Sequence, residues 1–167
     1  MKNKKKTTQC ILASISVFLL VLCDQLTKIA AIESLKNKPA IELIPGVFQL
    51  QYLENRGAAF GTLQNQRWLF LMIVCIVLAV VVWSFVKMPT TKHYTPLRIV
   101  AVFVAAGAIG NMIDRLKNGF VVDFFYFSLI DFPIFNVADI YVTVSMAVLF
   151  LLILTLYKDD DFHFLKP

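Results

Sequence analysis

Four acidic residues stand where acids are costly. Asp24, Asp114, Asp123 and Asp139 fall within or at the ends of long apolar stretches, and a carboxylate at the centre of a bilayer costs roughly 2.5–3.5 kcal/mol, less toward an interface. Taken singly, each is accounted for by an ion pair or a helix-end charge: Asp24 with Lys28 at i,i+4, Asp114 beside Arg115. Taken together they point to chemistry. Two carboxylates close together in a low-dielectric pocket do not both stay ionised, so the pair keeps one proton and offers a base and an acid at once. Such a pair activates water for attack on a peptide carbonyl and then protonates the leaving amine, with no serine, cysteine or metal. Ser14 and Ser16 lie deep in an apolar run without a His or Lys base, and Cys23 beside Asp24 has no His partner.

The elements that must position these acids are membrane helices. The 167 residues are 59% apolar and 16% charged, against about 45–50% and about 25% in soluble domains. That balance excludes a plain soluble enzyme, an acidic tail protein and a disordered chain. Trp68 to Val86 carries no charge and at helical rise covers roughly 28 Å, enough to span the hydrocarbon core. Ile140 to Tyr157 is a second such run, closed by Lys158. A third is apolar from Ile99 to Ile113, with a small-residue face at Ala105, Ala106, Gly107, Ala108 and Gly110 on which helices can approach closely. The first runs from Thr7 through Cys23 and on through Asp24 and Lys28 toward Glu33. The expectation is an integral membrane, mainly α fold, one domain over residues 1–167, with helices near 7–32, 68–86, 97–114 and 138–157.

Lys2, Lys4, Lys5 and Lys6 ahead of an apolar run resemble the start of a cleaved signal peptide, but Leu22 is too large for the position before a lipoprotein cleavage cysteine and no small-residue cleavage site follows. The basic start is read instead as a topology signal. With Lys87, Lys92, Arg98, Lys158 and Lys166 on the same side, it places both termini in the cytoplasm and residues 34–67 and 114–138 outside. The outer segment near 40–62 partly alternates at Ile41, Leu43, Val47, Gln49, Gln51 and Leu53, with a turn at Pro45-Gly46. It reads as short strands able to hold an extended peptide by strand addition. Asp159-Asp160-Asp161 reads as a solvated tail, and Trp68, Phe120, Phe124, Phe125 and Tyr126 as residues of the lipid edge or interfacial anchors. Cys10, Cys23 and Cys75 form no CxxC pair and His93 and His163 lie in polar stretches, so no disulfide framework, metal site or cofactor is expected. The lysines flank membrane segments, which argues against a nucleic-acid partner.

This topology gathers the polar residues at one end of the bundle. Asp24 lies at the outer end of helix 1, Asn111, Asp114 and Arg115 at that of helix 3, Asp123 just beyond, and Asn136 and Asp139 where helix 4 begins. Asn55 and Arg56 precede Gly57-Ala58-Ala59, whose small side chains leave room for a ligand backbone. One outward-facing pocket is expected to contain them all.

Five blocks occur in order: Asp24-Gln25-Leu26-Thr27-Lys28, Asn55-Arg56-Gly57-Ala58-Ala59-Phe60, Gly110-Asn111-Met112-Ile113-Asp114-Arg115, Val121-Val122-Asp123-Phe124 and Phe135-Asn136-Val137-Ala138-Asp139. With them the chain resembles the bacterial lipoprotein signal peptidases, or signal peptidase II. The resemblance implies an intramembrane aspartyl endopeptidase of the bacterial cytoplasmic membrane, its active site near the extracytoplasmic face. Its substrates would be lipid-modified prolipoproteins in contact with membrane lipids, cut just before the lipidated cysteine, and globomycin-type cyclic peptides would inhibit it. By motif position Asp123 and Asp139 match the family's catalytic pair. Asp24, Lys28, Asn55, Gly57, Asn111, Asp114, Arg115 and Asn136 match its supporting polar positions. Arg56 falls where the family pattern varies and takes no special role. A proton- or cation-coupled transporter, or a non-catalytic membrane binding protein, would also carry acids in its helices. A transporter, however, is expected to show repeated halves and a midplane site.

Overall fold

The computed structural model describes residues 2–57 and 66–165. Ala58 to Thr62 of the outer segment, including Ala58, Ala59 and Phe60 of its motif, and Lys166 of the tail lie outside the described residues. Four helices among them are long and apolar enough to cross a membrane. These are α1 (Lys2–Leu35), α2 (Arg67–Lys87), α3 (Thr95–Asn118) and α4 (Val137–Thr155). α1 is 34 residues long, about 50 Å at helical rise, so it outreaches a bilayer core. It begins at Lys2 rather than near Thr7, because lysine is a good helix former and water solvates that end. α3 runs past Asp114 to Asn118, stopped by Gly119 in the left-handed conformation at φ 80°.

α3 is the inner helix and packs against the other three. Its small residues make this possible: Ala106 is fully buried, with Ala105, Gly107, Ala108 and Gly110 buried around it. A Cβ on Gly107 would sit 2.5 Å from the Ala138 carbonyl oxygen and 2.7 Å from Val142 Cγ2 on α4. Because the first obstacle is backbone, Gly107→Ala must push α3 and α4 apart. The expected result is a drop in detergent melting temperature equivalent to about 1–3 kcal/mol; unchanged melting would mean that the contact yields freely. α2 and α4 instead turn residues such as Val80, Phe150 and Leu154 outward, each more than half exposed, as lipid contact requires.

Three strands among the described residues form one antiparallel sheet in the order β1 (Ile41–Ile44), β2 (Phe48–Asn55), β3 (Val121–Tyr126). The first two are the expected hairpin. β3 has no counterpart in the sequence reading, because Val121–Tyr126 is apolar without alternation and its register is set by a partner far away in the chain. Leu53 lies opposite Asp123 and Asn55 opposite Val121. The sheet packs on the end of α1 around Ala31, Leu35, Val122 and Phe124. Phe124 is therefore core, 5% exposed, and does not line the lipid edge as expected, whereas Trp68 is 76% exposed.

The tail is solvated at Asp159 and Asp160, as expected, yet it is docked by the residues that follow them. Residues Asp159–Leu165 form a 3-10 helix whose Phe162 and Phe164 pack on Tyr94 and Tyr157. The Asp161 carboxylate accepts from the Lys158 N–H at 3.0 Å and from His93 Nε2 at 3.0 Å. Those contacts, the backbone N–H first, hold its pKa below the ordinary carboxylate range. Aromatic packing anchors what composition alone marks as solvated.

Candidate active site

α4 starts on a capping box. Asn136 accepts the Asp139 N–H at 3.0 Å, and Asp139 Oδ2 accepts the Asn136 N–H at 3.1 Å. The cap's remaining donors point at the site. Asn136 Nδ2 donates to Asp123 Oδ1 at 2.5 Å and to Asn111 Oδ1 at 3.2 Å, while Asn111 Nδ2 donates to Asp139 Oδ1 at 2.8 Å. On the far side of Asp123, Asn55 Nδ2 donates to Oδ2 at 2.8 Å. Thus α3, α4, β2 and β3 each contribute to one pair of carboxylates, joined through Asn136.

Both carboxylates line a cleft of about 480 Å³. Asn55, Gly57 and Arg115 complete its polar end, and Phe132, Pro133, Ile140 and Val144 are among the residues of its apolar end. Arg115 donates to the Gly57 carbonyl at 3.3 Å and lies 4.6 Å over the Phe70 ring, so its charge is held at the rim. Asp123 is 1% exposed. Burial, and then the neighbouring Asp139 carboxylate, push its pKa up to about 7, which keeps a proton on the pair near neutrality.

The four acids do not share one pocket as expected; they form two pairs. Asp24 and Asp114 flank Lys28, whose Nζ is 3.0 Å from Asp24 Oδ2 and 3.1 Å from Asp114 Oδ2. Lys28 also donates to Asn111 Oδ1 at 2.9 Å, a side-chain link to the Asp123–Asp139 pair. Asp24 accepts the Ala138 N–H at 3.0 Å and Asp114 the Val122 N–H at 3.1 Å. These acids therefore fix the starts of α4 and β3, the two elements carrying Asp139 and Asp123. Asp114 pairs with Lys28 rather than with its neighbour Arg115, because helical neighbours point to different faces. Asp24 does pair with Lys28, as the i,i+4 spacing suggests. Gln25 was not singled out in the sequence, yet its Nε2 donates to Asp114 Oδ1 at 3.0 Å and to Asp24 Oδ2 at 3.2 Å. Its place between Asp24 and Lys28 in the first block was the available signal.

Comparison with known proteins agrees with this architecture. The family model described as signal peptidase (SPase) II matches residues 16–155. A lipoprotein signal peptidase of Symbiobacterium thermophilum is 45% identical over 133 residues, 78% of this chain and 86% of that protein. One from Streptococcus pyogenes serotype M5 is 36% identical over 148 residues, 89% of this chain and 94% of that protein. Two solved structures described as a bacterial membrane enzyme superpose with TM-score 0.75: one is 29% identical, covering 89% of this chain and 92% of that one, the other 31% identical, covering 86% and 93%.

Proposed function

The chain belongs to the signal peptidase II family of signal-peptide-removing proteases, and we propose that it cleaves lipid-modified prolipoproteins through Asp123 and Asp139. The observation that carries this reading is the pair itself: two carboxylates in one cleft, bridged by Asn136 and also held by amide donors from Asn111 on α3 and Asn55 on β2. A transporter or a passive binding protein gives no reason for acids at one end of a bundle to converge on a peptide-sized cleft, and neither is favoured.

In the proposed reaction Asp123 starts protonated. Asp139, at the N-terminus of α4 where the helix dipole favours negative charge, takes a proton from water as the water attacks the scissile carbonyl. Asp123 donates toward the developing oxyanion, and the proton gained by Asp139 passes to the leaving amine as the C–N bond breaks. Asn55, Asn111 and Asn136 hold the pair; Asp24, Lys28 and Asp114 hold the elements beneath it; Gly57 and Arg115 form the rim. The substrate's apolar signal helix stays in the lipid, and only the scissile stretch unwinds into the polar end of the cleft. The chain is a multi-pass bacterial membrane protein. The positive flanks support cytoplasmic termini and a site at the extracytoplasmic face.

The test is cleavage of a diacylglyceryl-modified prolipoprotein by purified protein in detergent, with the product mapped to the bond before the modified cysteine. Its rate is expected to follow a bell with pH. It falls as pH rises through about 7, where Asp123 loses the required proton, and again in acid, where the base carboxylate gains one. A rate flat from weak acid to weak alkali would count against a shared proton. Globomycin-type cyclic peptides are expected to compete with substrate for the cleft, so that excess substrate relieves inhibition. Inhibition insensitive to substrate would place them elsewhere.

A further inference from the structure

A second set of contacts holds the end of β2 from the side away from the cleft. Glu54 Oε1 accepts from Lys36 Nζ at 3.0 Å and from the Tyr52 hydroxyl at 3.2 Å, and Oε2 accepts from Arg56 Nη2 at 3.1 Å. Lys36 is the first residue beyond α1, and the Arg56 guanidinium lies 5.2 Å from the centre of the Phe120 ring, just before β3. Glu54 thereby ties the end of β2 to α1 and to the connection between α3 and β3. The Lys36 hydrogen bond above all holds its pKa below the ordinary carboxylate range, so it is ionised at working pH.

The residue between Glu54 and Arg56 is Asn55, whose amide holds Asp123. Asn55 stands at the end of its strand pairing. The ladder between β2 and β3 ends at the Asn55–Val121 pair, and beyond it the Asn55 side chain accepts the Gly57 N–H at 3.0 Å in a local turn. We propose that Glu54 is a positioning residue for the peptidase: by clamping Lys36 and Arg56 it takes over where the ladder stops, and keeps the Asn55 amide in register with Asp123. Exposed ion pairs add little to stability, so the clamp acts on rate, through a donor whose displacement by a fraction of an ångström is felt at the reacting carboxylate. This inference rests on the Asp123–Asp139 reading.

The experiment is a double-mutant cycle on the purified full chain in detergent, with Glu54→Gln, Asn55→Ala, their combination, and Asp123→Asn. Glu54→Gln is expected to lower kcat about fivefold, with KM within about twofold and melting unchanged, and to add nothing on the Asn55→Ala background, because it acts through that residue. Salt is expected to bring the wild-type kcat down toward the variant's and leave the variant's flat, since it screens exposed pairs. Lys38→Gln, which removes a nearby charge outside the clamp, is expected to leave kcat unchanged. Full kcat in Glu54→Gln, or the same loss in both backgrounds, would overturn the clamp. If Asp123→Asn stays active, the underlying reading fails instead; if it is inactive while Glu54→Gln keeps full kcat, only the clamp fails.

Discussion

Asp123→Asn and Asp139→Asn are each expected to lower prolipoprotein cleavage by about 10³-fold or more, because each removes a group that must exchange a proton in the transition state. The substitutions are nearly isosteric, so the cleft keeps its shape. Their local effects differ. Both oxygens of Asp123 face amide donors, from Asn136 and Asn55, so an asparagine there sets one NH2 group against another. Asp139 accepts the Asn136 N–H on Oδ2 and the Asn111 amide on Oδ1, so an asparagine there can keep the capping bond with its oxygen while its NH2 group faces the Asn111 donor. Melting temperature and binding of uncleaved substrate separate loss of chemistry from loss of fold: chemistry is lost in both variants, while both keep the fold and bind substrate. The assay includes a chelator, so that activity it leaves intact is carried by the carboxylates. Full activity in either variant would remove that carboxylate from the mechanism.

Much of this site was legible because lipid makes polar residues informative. Asp24, Asp114, Asp123 and Asp139 stood out against apolar runs, and the even number of spans brought them to one end. The pairing among them was not legible. Helix geometry already sets Asp114 and Arg115 on different faces, but that Asp114 meets Lys28 depends on the close approach of α3 to α1, which Gly110 permits: a Cβ there would lie 2.5 Å from Asp24 Oδ2. A single glycine in a small-residue stripe does not announce that. The hairpin of β1 and β2 was readable from local alternation and a Pro-Gly turn, whereas β3 is defined by long-range pairing with β2 and carries no period of its own. The docking of the tail was not legible for a related reason. Three consecutive aspartates read as solvated, while Phe162 and Phe164 beside them dock on aromatic residues that only the tertiary fold assembles.

The largest expected effect on folding comes from Lys28→Met. Lys28 is 2% exposed, Asp24 0% and Asp114 3%, so one buried ammonium stands between two buried carboxylates. Removing it leaves both without their cation, which in such settings costs about 3–5 kcal/mol and is expected to lower the detergent melting temperature by roughly 10 °C. The remaining partners do not offset the loss: Gln25 and the N–H groups of Ala138 and Val122 still donate, but they are dipoles facing two charges in a dry site. Neutralising both acids as well, in Lys28→Met with Asp24→Asn and Asp114→Asn, is expected to restore most of the melting temperature, because the penalty belongs to the unpaired charge rather than to the lysine's packing. Cleavage is expected to return only in part. Lys28 also donates to Asn111 Oδ1, and Asn111 holds Asp139, so the triple variant folds around the proposed base carboxylate with one bond of its support lost. A triple variant no more stable than Lys28→Met would mean that the lysine acts by filling space. One that recovers both stability and full rate would sever the buried triad from the Asp123–Asp139 pair.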